Sequence, residues 1–381
     1  MKPTNKTSST GSASGAIIHV GIAGLGIMGS AMAANLIKAG FKVTGYDPVP
    51  AQRAALKQAG GSAAGSAGAA ARGAQLLITS LPSAGALAAV ARELAEQGGS
   101  GLIVVETSTL PIAVKEAARK VLARAGITLL DCPLSGTGAQ ARVKDLSVYA
   151  SGPVGAVKLA APVFEGFARS HYYVGPFGAG SKMKFIANLL VSIHNVAAAE
   201  AFVLGKKAGL DPAMVYKVIG DGAGASRMFQ VRGPMMVAGD YSDATMKVKT
   251  WQKDVQIIGD FLREVDCPAP LFAASTPFYN AAMAMGLADA DTAAVCEVLE
   301  QWASPGRVVA PVKAGRGAKA TSATSATKAT KATKASKASK AVKVAKAAKA
   351  VKAAKTLKVA KAAKAAKVVK AVKAAKAASK R

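Results

Sequence analysis

The segment Ile17–Asp47, IIHVGIAGLGIMGSAMAANLIKAGFKVTGYD, leaves the chain the least freedom in its fold. An apolar run from Ile17 to Ala23 leads into Gly24-Leu25-Gly26-Ile27-Met28-Gly29. A helical pattern then covers Met28 to Ala39 and stops at Gly40, and a second apolar run, Phe41 to Tyr46, ends in Asp47. Strand, glycine turn, helix, strand and acid within about thirty residues are the context that the GxGxxG dinucleotide fingerprint requires. Gly24 permits the tight turn, Gly26 lets backbone approach a pyrophosphate, and Gly29 lets helix and strand pack closely. With Leu25, Ile27 and Met28 these residues form the expected cofactor loop, the pyrophosphate resting on free N–H groups at the helix start. Asp47 can accept both ribose hydroxyls of NAD and would repel the 2′-phosphate of NADP. NAD is therefore the expected cofactor, with NADP the lesser alternative.

The pattern continues as alternating strands and helices. Gln75–Leu81, Gly101–Glu106, Ile127–Asp131, Leu146–Ser151 and His171–Val174 read as strands. Pro48–Gly60, Ser66–Arg72, Ser83–Gln97, Pro111–Ala125 and Val154–Ala168 read as helices. Alternation of this kind predicts a parallel, doubly wound α/β sheet with helices on both faces, a Rossmann-type domain over 16–180. After Gly178-Ala179-Gly180 the strand-length apolar runs disappear. With Ser181 as N-cap, Lys182–Ala208 reads as one long helix, and helical stretches follow near 211, 225–232, 245–264, 270–285 and 289–302. The second domain, 181–305, is thus predicted to be all-helical. Its long helix is apolar on nearly all sides, through Phe185, Ile186, Leu189, Leu190, Val191, Ile193 and Val196, which predicts burial at an interdomain or subunit interface.

The ends differ from this core. Residues 1–15 lack an apolar core segment and read as a disordered leader. The net charge of +29 belongs mostly to the other end, since residues 313–381 hold 22 of the 50 basic residues and none of the 21 acidic ones. Between Lys328 and Lys376 a lysine falls at every third position. On a helix that step winds lysines round all faces and leaves no apolar stripe, so the low-complexity tail, 306–381, is expected to form no core. It resembles the Lys/Ala-rich tails of linker-histone-like bacterial proteins, which implies non-specific, salt-dependent binding of DNA, RNA or other polyanions. Cys132, Cys267 and Cys296 are scattered singly, which speaks against a metal site or disulfide framework and fits a reducing cytoplasm. No unbroken apolar run approaches the eighteen or so residues of a membrane span.

Four motifs, GLGIMGSAMAANLIKAG, DCPLSGTGAQA, GAGSKMKFIAN and WQKD, fall in the order and approximate spacing seen in β-hydroxyacid dehydrogenases, a family that includes 3-hydroxyisobutyrate dehydrogenase and tartronate semialdehyde reductase. The resemblance covers about residues 17–303. It implies that Lys184, the lysine of the GxGxxxK motif, is the catalytic acid/base. The chemistry is consistent: a lysine serves this role only if its pKa falls toward the working pH, and a first-turn helix position with burial in a cleft acts in that direction. Asn188, four residues on, shares its face. The resemblance further implies that Ser135, Gly136 and Thr137 bind a substrate carboxylate, that Lys253 lies near substrate or nicotinamide, and that Leu81, Pro82 and Thr109 line the cofactor. Thr137 and Ala187 depart from the family's usual glycine and asparagine.

His19, His171 and His194 are not paired with acids in sequence and are not expected to catalyse, and Met214, Met228, Met235, Met236, Met283 and Met285 read as core filler. The expected function is a cytoplasmic NAD-dependent oxidoreductase interconverting a small β-hydroxy acid and its semialdehyde, without a metal. Relatives bury the long helix between subunits, which implies a dimer or tetramer. Two alternatives stand beside it: a glyoxylate or succinic semialdehyde reductase, and a DNA- or polyanion-associated scaffold that uses the dehydrogenase fold.

Overall fold

The strands fall where apolar runs are short and the helices where Pro, Ser or Gly punctuates them. The computed structural model of the protein describes residues 17–303, and the expectations for the leader and for the lysine-rich tail lie outside the described residues. In chain order come β1 (His19–Ala23), α1 (Ile27–Lys38), β2 (Lys42–Tyr46), α2 (Pro50–Gln58), β3 (Ser62–Ala63), α3 (Ala67–Ala71), β4 (Leu76–Thr79) and α4 (Ala84–Gln97). Next are β5 (Ile103–Glu106), α5 (Ile112–Arg124), β6 (Thr128–Asp131), β7 (Leu134–Ser135), α6 (Gly138–Arg142), β8 (Ser147–Ser151), α7 (Val154–Phe167) and β9 (Ser170–Gly175). From there the chain is helical: α8 (Ala179–Lys207), α9 (Pro212–Gly220), α10 (Arg227–Ala238), α11 (Val248–Glu264), α12 (Pro270–Ala284), a 3-10 turn at Thr292–Ala294, and α13 (Val295–Ala303).

The nine strands form one sheet in the order β3-β2-β1-β4-β5-β6-β8-β7, with β9 paired to β8. β4 and β5 are buried at every residue, as central parallel strands covered on both faces must be. Their register sets Leu77 beside Val104 and Ile78 beside Val105. Met32 and Leu36 of α1 pack with Phe164 and Phe167 of α7 in one core cluster. Leu87, Leu94 and Leu122 of α4 and α5 pack with Leu77 and Val104 in another. The all-parallel expectation fails at one edge: β8 runs antiparallel to both β6 and β7, because β7 continues the direction of β6 and the chain then turns back after Ser135 through a short connection that holds α6, rather than crossing over to the far end of the sheet. The two-residue strands β3 and β7 and the five-residue α6 carry too few residues for a hydrophobic period to show.

Helix α8 starts earlier than the sequence suggests. Gly178, at φ +91°, is the N-cap, and Ser181 lies inside the first turn. The glycine at 180 has a steric cause, since a Cβ there would sit 2.5 Å from the carbonyl oxygens of both Asp131 and Tyr149. That close approach lets α8 leave the C-terminal edge of the sheet and run through the helical half. By length and mean composition α8 is apolar enough to cross a membrane, although it holds no unbroken apolar run of that length. Its polar residues are nonetheless bonded inside the protein: Ser192 Oγ to Ser275 Oγ at 2.9 Å, and Asn195 Nδ2 donating to Thr292 O at 2.7 Å. Phe185 and Val196 are buried as expected, but Ile186 and Leu190 are 55% and 45% exposed.

Candidate active site

The glycine loop is shaped by close contacts on two sides and open space on the third. Gly24 has φ +95°, and a Cβ there would meet Ser80 O at 2.2 Å; one on Gly29 would meet Gly24 O at 1.9 Å. A Cβ on Gly26 would meet nothing within 4 Å. Gly26 is also the N-cap of α1, with no side-chain cap and no acid in the first turn. Its first N–H groups thus suit an anion at the open face. Asp47, buried at the end of β2, accepts from the N–H of Leu25 at 2.8 Å and of Val49 at 2.9 Å. This fixes the carboxylate beside the loop and leaves lone pairs for ribose hydroxyls. The residues present therefore fit a dinucleotide. The adjoining loops are tied together: Leu81 N donates to Ser108 Oγ at 2.8 Å, and Lys253 Nζ donates to the carbonyl of Thr109. Pro82 follows Leu81 in the β4–α4 connection.

A cavity of about 380 Å³ opens between the sheet edge and the helices, and its walls include Ser135, Gly136, Thr137, Lys184 and Asn188. Five residues from two motifs, Ser135 and Asn188 being 53 positions apart in sequence, thus meet at one site. The cofactor loop is adjacent, because a Cβ on Gly138, the residue after Thr137, would lie 2.3 Å from Ile27 Cγ2. Lys184 stands in the second turn of α8, not the first, so the helix dipole acts on it weakly. Burial is the larger cause and brings its amine pKa down from 10.5 to about 8; Asp254 opposes and Lys253 assists. Asn188 Nδ2 donates to Asp254 Oδ2 at 2.9 Å, and Asp254 Oδ1 pairs with Lys253 at 2.8 Å. Lys253 is absent from the cavity wall. It braces Asp254 and the Thr109 loop instead.

Thr137 has a local role that the motif does not reveal. It caps α6, and both its N–H and its hydroxyl donate to Gln140 Oε1, at 3.0 and 3.3 Å. Gln140 Nε2 in turn donates to Asp145 Oδ2 at 3.1 Å. That bond, with the Arg169 guanidinium at 2.8 Å, holds the Asp145 carboxyl below the usual carboxylate range. Sequence reasoning missed Asp145, Arg169, Arg227, Arg232 and Trp251, all of which line the cavity. Met228 lines it too and is more than core filler. Trp251 opens the WQKD motif, the only advance signal among them. Of the histidines, His19 is held by Gly73 O and Thr44 Oγ1, away from this cavity.

Comparison with known proteins agrees with this geometry. Residues 19–175 match the NAD-binding domain of 6-phosphogluconate dehydrogenase, and residues 178–299 match the NAD-binding domain of NADP-dependent 3-hydroxyisobutyrate dehydrogenase. L-threonate dehydrogenase of Cupriavidus necator is 34% identical over 293 residues, covering 76% of this chain and 98% of the relative. 2-(Hydroxymethyl)glutarate dehydrogenase of Eubacterium barkeri is 31% identical, covering 74% of this chain and 95% of the relative. The crystal structure of 3-hydroxyisobutyrate dehydrogenase from Salmonella typhimurium superposes with a TM-score of 0.67 at 31% identity, over 74% of this chain and 99% of that one. A dinucleotide loop, a cavity-wall lysine and relatives matched over nearly their whole length lead to one conclusion: the chain belongs to the β-hydroxyacid dehydrogenase family, as an NAD(P)-dependent oxidoreductase acting on CH–OH donors.

Proposed function

We propose that the protein interconverts a small β-hydroxy acid and its semialdehyde with NAD, using Lys184 as general acid/base. The observation that carries this reading is an amine with a pKa of about 8 in the same cavity as the Ser135–Thr137 loop and Asn188. The substrate carboxylate rests on Ser135 and Gly136, with Thr137, whose own donors are taken by Gln140, closing the loop. In the oxidative direction neutral Lys184 takes the proton of the substrate hydroxyl, and in the reductive direction its ammonium returns one to the carbonyl oxygen. Asn188, fixed through Asp254, orients the substrate oxygen. Bound nicotinamide supplies the acceptor or donor of the hydride that leaves or joins the carbinol carbon. Asp47 beside the glycine loop supports NAD over NADP. The test is NADH oxidation against a panel of small semialdehydes, glyoxylate and succinic semialdehyde included. Lys184→Ala should lose at least a hundredfold in kcat while retaining cofactor binding; activity within threefold of wild type would remove Lys184 from the mechanism.

The chain is also expected to self-associate, supported by exposed Met183, Ile186 and Leu190 along one side of α8. Sedimentation of the full chain checks this, a monomer at micromolar concentration being the adverse result. A second activity, polyanion binding, is supported by the 22 basic and no acidic residues of 313–381. Cytoplasmic residence, with nucleoid association through that tail, completes the reading.

A further inference from the structure

We propose that the cavity contains a second anion subsite, formed by Arg227 and Arg232, and that the substrate carries a terminal carboxylate or phosphate in addition to the carboxylate on Ser135–Thr137. The inference rests on the oxidoreductase reading of the same cavity and names the class of acid it takes.

Arg232 is the main observation. It is 2% exposed, yet it lines the cavity. Burying a guanidinium is costly unless its charge is answered. Asp291 answers one edge, accepting from Nε at 2.9 Å. Asp291 is itself held by the N–H groups of Thr245, Met246 and Ala293 and by the Thr245 hydroxyl, at 2.8 to 3.1 Å. The result is a rigid socket that aims the guanidinium. Among the described residues its other side meets only the thioether of Met228, a weak acceptor. A pair that served packing alone would have both edges covered; here one edge is left for an oxyanion at the wall of a cavity.

Two further features agree. Trp251, also on the wall and also 2% exposed, leaves its indole N–H without an acceptor among the described residues. A buried donor in that state is normally satisfied by water or ligand. Arg227 and Arg169 approach from the rim and share the single carboxylate of Asp145, through Oδ2 at 3.1 Å and Oδ1 at 2.8 Å. Three guanidiniums thus face two carboxylates, Asp145 and Asp291, leaving a surplus positive charge before Lys184 is counted. A planar fork of donors suits a carboxylate or a phosphate equally. The volume, about a dozen water molecules' worth, leaves room beyond a three-carbon acid.

Arg227 is largely exposed, so its replacement does not threaten folding as replacement of Arg232 would. The experiment compares kcat/KM of the full chain and of Arg227→Met on three probes: L-threonate, 2-(hydroxymethyl)glutarate, and threonate phosphorylated on its terminal hydroxyl. The wild type should prefer one or both dianions to threonate by at least tenfold, and the better one names the second anion. In Arg227→Met that ratio should fall by about ten- to a hundredfold, the range for losing a charge-assisted pair, with Arg227→Lys recovering part of it. Equal loss on monoanion and dianions would place Arg227 at the first carboxylate and overturn the subsite. So would a wild-type preference for threonate. Failure to turn over any of the three, or the semialdehyde panel, would instead overturn the oxidoreductase reading.

Binding gives an independent readout. Trp302 is exposed and outside the cavity wall, so Trp302→Phe leaves Trp251 as the sole indole reporter. Glutarate should quench it to saturation at concentrations where valerate does not, and parallel titrations by the two acids would count against a second anion site.

Discussion

Lys184 suits the proposed proton transfer because of where its amine sits. A solvated lysine is almost wholly charged at neutral pH and cannot take a proton; burial brings this one to about 8, with Asp254 limiting the fall. The direction of the pH dependence follows. Oxidation of the hydroxy acid needs the neutral amine, so kcat/KM in that direction should rise about tenfold per pH unit below 8 and level off above it. Carbonyl reduction needs the ammonium and should decline above the same pH. Asp254→Asn removes the carboxylate that favours the charged form, and the inflection should then move to lower pH. A profile flat from pH 6 to 10 in both directions would mean that another group moves the proton. At this scale the sequence was informative where a motif names a residue, as at Lys184 and Asp47. Thr137 shows the limit: its place in the Ser135–Thr137 loop on the cavity wall was legible, but its bonds to Gln140 depend on a helix of five residues.

Lys184 is carried on the second turn of α8, and the turn before it is locked to the sheet. Asp131, at the end of β6 and fully buried, accepts from Ser181 N–H at 2.7 Å and from Ser181 Oγ at 2.8 Å. The same carboxylate pairs at 2.8 Å with Lys115, which reaches from α5 and also lies 3.8 Å from Glu106. One buried ion cluster thus ties β5, β6, α5 and α8 three residues before Lys184. Asp131→Ala would leave Lys115 with the more distant Glu106 alone and free the α8 terminus. Breaking a buried pair of this kind costs about 3–5 kcal/mol, measurable by urea denaturation. A loss under about 1 kcal/mol would mean that water takes over the carboxylate's place. Gly180→Ala addresses position rather than charge. Its Cβ would collide with two carbonyl oxygens, so α8 must shift outward. Activity should therefore fall at least tenfold with helix content retained in circular dichroism. The sequence marked this element but displaced its start, because Ser181 resembles an N-cap while its side chain is directed to Asp131.

Across the whole molecule, legibility followed range. Strand–helix alternation is local and was readable; the antiparallel return of β8 onto β6 is a tertiary pairing and was not. The cavity divides the same way. Its motif residues were foreseen, whereas Arg169 lies before β9 and Arg227 and Arg232 on α10, and nothing in the sequence links the two segments until the fold unites them. The residues beyond 303 leave a question of charge alone. Residues 313–381 carry 22 basic side chains and no acid, while residues 1–312 carry 28 basic against 21 acidic. If the tail neutralises phosphates, affinity for duplex DNA should fall linearly on logarithmic axes of binding constant against salt, with a slope near −0.9 for each phosphate engaged. Truncation after residue 312 should abolish retention and leave kcat/KM on the preferred acid unchanged, and Lys184→Ala should do the reverse. Sequence-independent binding with a steep slope is the expected pattern, because no aromatic residue stands among the lysines to stack on bases. A full chain that binds DNA no more tightly than its truncation at low salt would confine this protein to its dehydrogenase chemistry.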